Sequence, residues 1–119
     1  MREPIGDNMQ NLLNEQLNKF NERIKTDEKL QKELEGFERT IQIVITDGAT
    51  YHTTFKDNHA DVLTEGSLEN PDIMISADEA TLRGLLNKEI SPIKAFLITK
   101  SLKIEASLED KLRLRKLFD

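Results

Sequence analysis

Residues 70–79, Asn70-Pro71-Asp72-Ile73-Met74-Ile75-Ser76-Ala77-Asp78-Glu79, decide the fold, because turn, strand and helix start follow one another without a spare residue. Asn70-Pro71-Asp72 groups three turn formers. Ile73-Met74-Ile75 is a short apolar strand. Ser76-Ala77-Asp78-Glu79 has the spacing of a capping box, in which a serine hydroxyl accepts from a helix N–H and a glutamate reaches back. Behind it Leu82, Leu85 and Leu86 share one helical face. Ser91-Pro92 opens a second helix, a cap residue followed by proline where no N–H is missed. Ile93, Phe96 and Leu97 follow it. Leu102 to Ala106 reads as a strand, and Leu108 to Phe118 as a leucine-rich last segment. These positions offer no nucleophile, metal cluster or phosphate loop. The stretch encloses apolar space, which points to binding a greasy ligand rather than to chemistry.

Towards the N-terminus the period is helical. Met9, Leu12, Leu13, Leu17, Phe20 and Ile24 form the stripe of a helix lying on a core, with Asp7 and Gln10 suited to a cap pair. Thr26 or Asp27 restarts a short helix carrying Leu30 and Leu34, stopped by Gly36. From Phe37 the period becomes two: Ile41, Ile43 and Ile45 alternate with Gln42, Val44 and Thr46, as in a strand with one buried face. Asp47-Gly48 is a tight-turn signal, since both residues tolerate positive φ. Tyr51, Thr53 and Phe55 make a second strand, with His52 and Thr54 on its other face. Asp57-Asn58-His59 is the next turn, and a third strand runs through Asp61, Val62, Leu63 and Thr64 to Gly66.

The last segment is ambiguous by period. Lys111 to Arg115 alternates like a strand, whereas Leu108/Leu112 and Leu114/Phe118 pair at helical spacing, with Lys111 and Arg115 inside the apolar arc. Strong helix formers and an acidic start, Glu109-Asp110, decide for a helix. The expected architecture is α+β: a five-stranded, mainly antiparallel sheet covered on one face by helices. One domain spans 1–119, with 1–36 helical, 37–66 a three-strand meander, 70–107 strand-helix-helix-strand and 108–119 a terminal helix.

The totals agree with a single small domain. The chain has 119 residues, 37% apolar and 33% charged, so its core is economical and its surface well hydrated. A net charge of −5 disfavours nucleic acid, which needs clustered Lys and Arg. Cysteine is absent, which excludes disulfides, thiolate nucleophiles and cysteine metal sites. No charged-then-apolar leader and no apolar run of about 18 residues is present, so the expectation is a soluble, cytoplasmic protein.

The order of these elements, and the wording of several, resembles the sterol carrier protein type-2 domain family. Three pieces carry the likeness: Asn70-Pro71-Asp72-Ile73-Met74-Ile75; Ile90-Ser91-Pro92-Ile93-Lys94-Ala95-Phe96-Leu97; and Leu102-Lys103-Ile104 followed by Lys111-Leu112 and Leu117-Phe118. One departure is Glu105-Ala106-Ser107, where the family usually has a glycine after the last strand. The resemblance implies a non-catalytic domain with an apolar tunnel between sheet and helices, accepting sterols, fatty acids, fatty acyl-CoA or isoprenoid lipids without a cofactor. The implied lining is Ile43, Ile45, Phe55, Leu63, Leu82, Phe96, Leu97, Leu112, Leu117 and Phe118. The alternative is a filled tunnel, with the domain serving as an interaction or dimerisation module beside a lipid or quinone biosynthetic enzyme.

Each remaining feature has a plainer reading beside the functional one. The apolar stripes either line a tunnel or fill a core. Lys111, Arg113, Arg115 and Lys116 are a docking patch for an anionic membrane surface or a CoA phosphate, or a solvated helix end whose cations suit its dipole. His52 and His59, beside Asp47, Asp57 and Asp61, match no closed metal spacing and read as surface histidines. Asp78 and Glu79 read as cap residues rather than an acid–base pair. Tyr51 and Thr53 face either a ligand headgroup or, more simply, the core.

Overall fold

Alternation at period two builds the centre of the sheet in the computed structural model, which describes residues 9–118 and all their side chains except those of Ile93 and residues 116–118. Strands β1 (Arg39–Ile45) and β2 (Thr50–Lys56) pair antiparallel, with Ile41 opposite Thr53 and Ile43 opposite Tyr51. On its other side β1 runs parallel to β5 (Ile73–Ala77), which sets Ile41 beside Ile73 and Ile43 beside Ile75. A short β6 (Lys103–Glu105) closes that side antiparallel, Ile104 opposite Ile75. Residues directly opposite share a face. One face therefore carries Ile41, Ile43, Ile45, Tyr51, Phe55, Ile73, Ile75 and Ile104, and the other Thr40, Gln42, His52, Thr54, Ser76, Lys103 and Glu105. The apolar face joins one core with Met9, Leu13 and Ile24 of α1 (Met9–Thr26), Leu30 of α2 (Glu28–Glu33), Leu82 of α3 (Glu79–Leu86) and Ala95 of α4 (Pro92–Leu97). The expected Asp7 cap lies outside the described residues.

The expected third strand is divided. β3 (His59–Ala60) pairs with Phe55 and Lys56, and β4 (Thr64–Glu65) with Tyr51 and His52, so both lie along the same edge of β2 in a six-stranded sheet. Between them Leu63 turns into the core and is 1% exposed. Side chains of α1 replace the missing ladder. Asn14 Oδ1 accepts from Leu63 N–H at 2.8 Å, and Gln10 donates to Leu63 O at 3.2 Å. Asn21 takes both backbone groups of Ala60, accepting from its N–H at 2.8 Å and donating to its carbonyl at 2.9 Å. A helix thus stands in for a neighbouring strand at an otherwise open edge.

Three turns differ in detail from expectation. Asp57-Asn58 alone makes the β2–β3 turn, both with positive φ (54° and 57°), and His59 already belongs to β3. Neither Asp47 nor Gly48 has positive φ. Their loop instead serves two neighbours, since Thr46 N–H bonds Ala77 O and Asp47 Oδ1 accepts from Glu79 N–H. The α3 cap is Asp78, not Ser76, and it accepts from Thr81 N–H at 2.7 Å. Strand pairing with β1 continues through Ala77, so Ser76 remains extended and cannot cap. Elsewhere Asp27 caps α2 and Ser91 caps α4, with Pro92 in the first turn, as the sequence predicts.

The final helix α5 (Leu108–Phe118) starts at Ser107, whose hydroxyl accepts from Asp110 N–H. It docks through Leu114, which is buried in the core, and through a charge. Asp110 is 3% exposed and accepts from Arg39 Nε at 2.8 Å. That bond raises the pKa of Arg39 above its ordinary value. Arg113 reaches the other Asp110 oxygen at 3.4 Å, and both guanidiniums lie over the Phe37 ring.

Candidate functional site

Beyond this anchor α5 meets α4, and several apolar residues there stay in water. Pro92 fixes the start of α4, so Phe96 and Leu97 fall on its last turn. The chain returns as β6, whose middle residue Ile104 lies on the apolar face of the sheet. On α5 the positions i, i+3, i+4 and i+7 are Leu108, Lys111, Leu112 and Arg115, which share one helical face. Together Pro92, Phe96, Leu97, Ile104 and these four α5 residues bound a cleft of about 180 Å³. Its apolar rim is open: Leu97 is 52%, Leu112 53% and Leu108 72% exposed, with Ile98 adjoining. A single exposed leucine is ordinary, whereas a grouped patch of this kind makes the cleft the candidate binding site.

The ten expected lining residues separate. Phe96, Leu97 and Leu112 meet at this cleft. Ile45, Phe55, Leu63 and Leu82 are buried in the packed core, and Ile43 lies half-buried against it. The side chains of Leu117 and Phe118 lie outside those described. Pro92, Ile104 and Leu108 are cleft residues that the implied lining omits. The signal for Leu108 was its helical spacing to Leu112, and for Ile104 the alternation Leu102, Ile104, Ala106.

The other candidates have structural employment. His52 Nδ1 is 2.9 Å from Gly66 O, while His59 is exposed on β3. Among the described residues, no group of three His, Asp or Glu is placed to hold a metal ion. Thr53 donates to Asp61 O at 2.7 Å, and burial pushes the Tyr51 phenol above its usual pKa. Asp78 is held below the usual carboxylate value by its hydrogen bonds from Thr81, and Glu79 pairs with Arg83 at 3.2 Å. No described helix is long and apolar enough to cross a membrane.

Solved structures of similar fold set this geometry in context. The chain superposes on a UbiJ-SCP2 ubiquinone synthesis protein with a TM-score of 0.64 at 14% identity, covering 98% of this chain and 93% of that one. Against palmitated SCP2L2 from Aedes aegypti the TM-score is 0.61 at 13% identity, covering 92% and 93%. It is also similar to part of the stereoselective inverting sec-alkylsulfatase Pisa1 from Pseudomonas sp., with a TM-score of 0.56 at 16% identity. There it covers 75% of this chain but spans only 13% of the sulfatase. At these identities the likeness is one of fold. No curated protein matches the sequence significantly. The family model described as the SCP-2 sterol transfer family matches residues 17–119, most of the length and every element from mid-α1 onward. The chain belongs to the SCP-2 sterol transfer family.

Proposed function

We propose that this domain is a non-enzymatic carrier that takes up one hydrophobic chain at the α4–β6–α5 cleft. The observation that carries this reading is the apolar rim, Leu97, Leu108 and Leu112, left in water around a cleft floored by Ile104. Phe96, Leu97 and Leu112 contact the ligand, while Ile45, Phe55, Leu63 and Leu82 keep the floor rigid. The palmitated SCP2L2 supports an acyl ligand by analogy.

Size limits what the cleft holds as it stands. With about 30 Å³ for a water-sized group, 180 Å³ takes on the order of six methylenes. At about 0.8 kcal/mol each these contribute about 5 kcal/mol before ordering costs. Micromolar binding needs about 8 kcal/mol, so a tightly held chain requires a longer groove. The exposed leucines between α4 and α5 provide it: α5 moves as a wall, widening the cleft along its apolar side. Delivery then involves transient contact with a membrane surface, from a cytoplasmic pool.

A second reading rests on the same volume. At about 180 Å³ the cleft is below the ~300 Å³ at which ligand pockets usually begin. The rim would then seat a protein, either a second copy or a lipid or quinone biosynthetic enzyme, as the UbiJ-SCP2 likeness suggests. Native mass spectrometry of gently purified protein separates the two. A discrete extra mass that extracts as a lipid supports the carrier. A clean apo mass that also refuses added palmitate, fatty acyl-CoA and isoprenoid alcohol overturns it in favour of the interaction module.

A further inference from the structure

We infer that the free edge of β6 pairs with β6 of a second copy of this chain, antiparallel, with Lys103 of each copy opposite Glu105 of the other. β6 is the last strand on its side of the sheet, paired with β5 along one edge only. Its three residues, Lys103, Ile104 and Glu105, are related to themselves by a half-turn that exchanges the two charges. A two-fold axis through Ile104, normal to the sheet, therefore sets Ile104 against its counterpart and makes two Lys103–Glu105 pairs. Both charged side chains are exposed, and neither is held in an ion pair among the described residues. Residues directly opposite share a face, and opposite charges placed so attract.

Other arrangements of the same strands fail on charge or on face. Parallel pairing in register sets lysine beside lysine and glutamate beside glutamate. An antiparallel slip of one residue puts Ile104 against a charged side chain. A slip of two puts Lys103 or Glu105 against its own kind. Charges on an edge strand ordinarily deter pairing; these two deter a mismatched strand and admit a second copy. The same axis accounts for the apolar residues beside the edge. Ile104 of both copies faces the helices, so both helix layers lie on one side of the joined sheet and the two α4–α5 rims approach across the axis. Four of the five large apolar side chains exposed among the described residues, Leu97, Ile98, Leu108 and Leu112, belong to this rim. Ile104 lines the cleft between them. Three residues make too short a ladder to hold two copies, and a specific interface buries about 800 Å² per partner. The rim supplies the apolar area that the strand lacks.

This inference needs no lipid and goes beyond the reading of the cleft. Sedimentation velocity of the intact chain is expected to show a monomer–dimer equilibrium at micromolar concentration. Lys103→Glu creates two acid–acid pairs per dimer and Glu105→Lys two base–base pairs, so each should weaken dimerisation at least about tenfold. Mixing the two single variants should restore the dimer, because each strand then meets its opposite. The double exchange Lys103→Glu, Glu105→Lys within one chain should restore it too, and it decides alone should a single variant misfold. A native chain that stays monomeric at high micromolar concentration overturns the proposal. A dimer that both single variants leave intact overturns the strand pairing. Dissociation that neither mixing nor the double exchange repairs overturns the register. Uptake of palmitate by a strictly monomeric chain overturns this inference while leaving the carrier standing, and a charge-dependent dimer that refuses palmitate does the reverse.

Discussion

At the β3–β4 edge and at the β6 edge the sheet treats apolar and polar residues in opposite ways. Along β3–β4 the strands are two residues each, yet α1 covers the edge at two points, although Val62 between them is 74% exposed: Asn21 takes both backbone groups of Ala60, and Asn14 and Gln10 take those of Leu63. Leu63, so held, is 1% exposed. Along β6 the strand is also short, but among the described residues no comparable side-chain hydrogen bonds cover its end. Charged Lys103 and Glu105 blunt that edge, and the helices beyond it leave Leu97, Ile98, Leu108 and Leu112 in water. Among the described residues, Asn21 is buried at one end, where Val62 is the single exposed large apolar side chain, while four such side chains lie exposed together at the other. On the proposed reading stability and binding are housed separately, so they should respond to different substitutions.

The largest effect belongs to the closed end. Leu63→Ala removes a side chain with no room to relax and should destabilise by about 2–5 kcal/mol, measured as the urea midpoint. A cost under about 1 kcal/mol would mean that the closed end is not the tightly packed one. Asn21→Ala comes next. It strands a buried N–H and carbonyl at about 1–3 kcal/mol for each group, and it reopens the β3 edge, so chemical denaturation should show the loss and light scattering an increased tendency to associate. A soluble variant of unchanged stability would show that water replaces the side chain and that the edge needs no guard.

A smaller effect is expected where α3 meets the sheet. The Asp78 carboxyl is lowered from its ordinary value of 3.8 by its hydrogen bonds from the Thr81 side chain and backbone. Because the folded state holds the proton less tightly than the unfolded chain, this contribution is present above about pH 4 and lost as pH falls through 3.8 and below. Asp78→Ala should therefore be less stable than the native protein at neutral pH, and the difference should narrow in acid. A constant difference from pH 7 to pH 3 would assign the effect to helix propensity instead.

Much of the fold could be read from the chain because its signals are local. Ile41, Ile43 and Ile45 against Tyr51, Thr53 and Phe55 mark two strands by period alone, and Ser91-Pro92 marks a helix start by chemistry alone. What could not be read depends on partners far along the sequence. The break between β3 and β4 requires side chains 39–53 residues away on α1. Ser76 has the spacing of a cap but remains in β5, because β1 is there to pair with it. The same limit applies at the site. Helical spacing brought Phe96, Leu97 and Leu112 forward, but only the fold sets them opposite one another with Ile104 beneath. It also decides that Arg113, among the cations of α5, is consumed by Asp110.

Leu112→Ala has the smallest expected effect on stability and bears most directly on the contrast. The side chain is 53% exposed, so truncation removes little buried area, and the change should remain within about 0.5 kcal/mol. The methyl groups it removes nevertheless lie on the wall of the cleft, where a bound chain would bury them. Uptake of palmitate, followed by native mass spectrometry, should therefore fall while the urea midpoint holds. If the midpoint falls as far as for Leu63→Ala, Leu112 is ordinary core, and the two ends of the sheet do not differ in kind. If neither quantity moves, the rim is surface without a ligand, and the leucines exposed beside it need another partner.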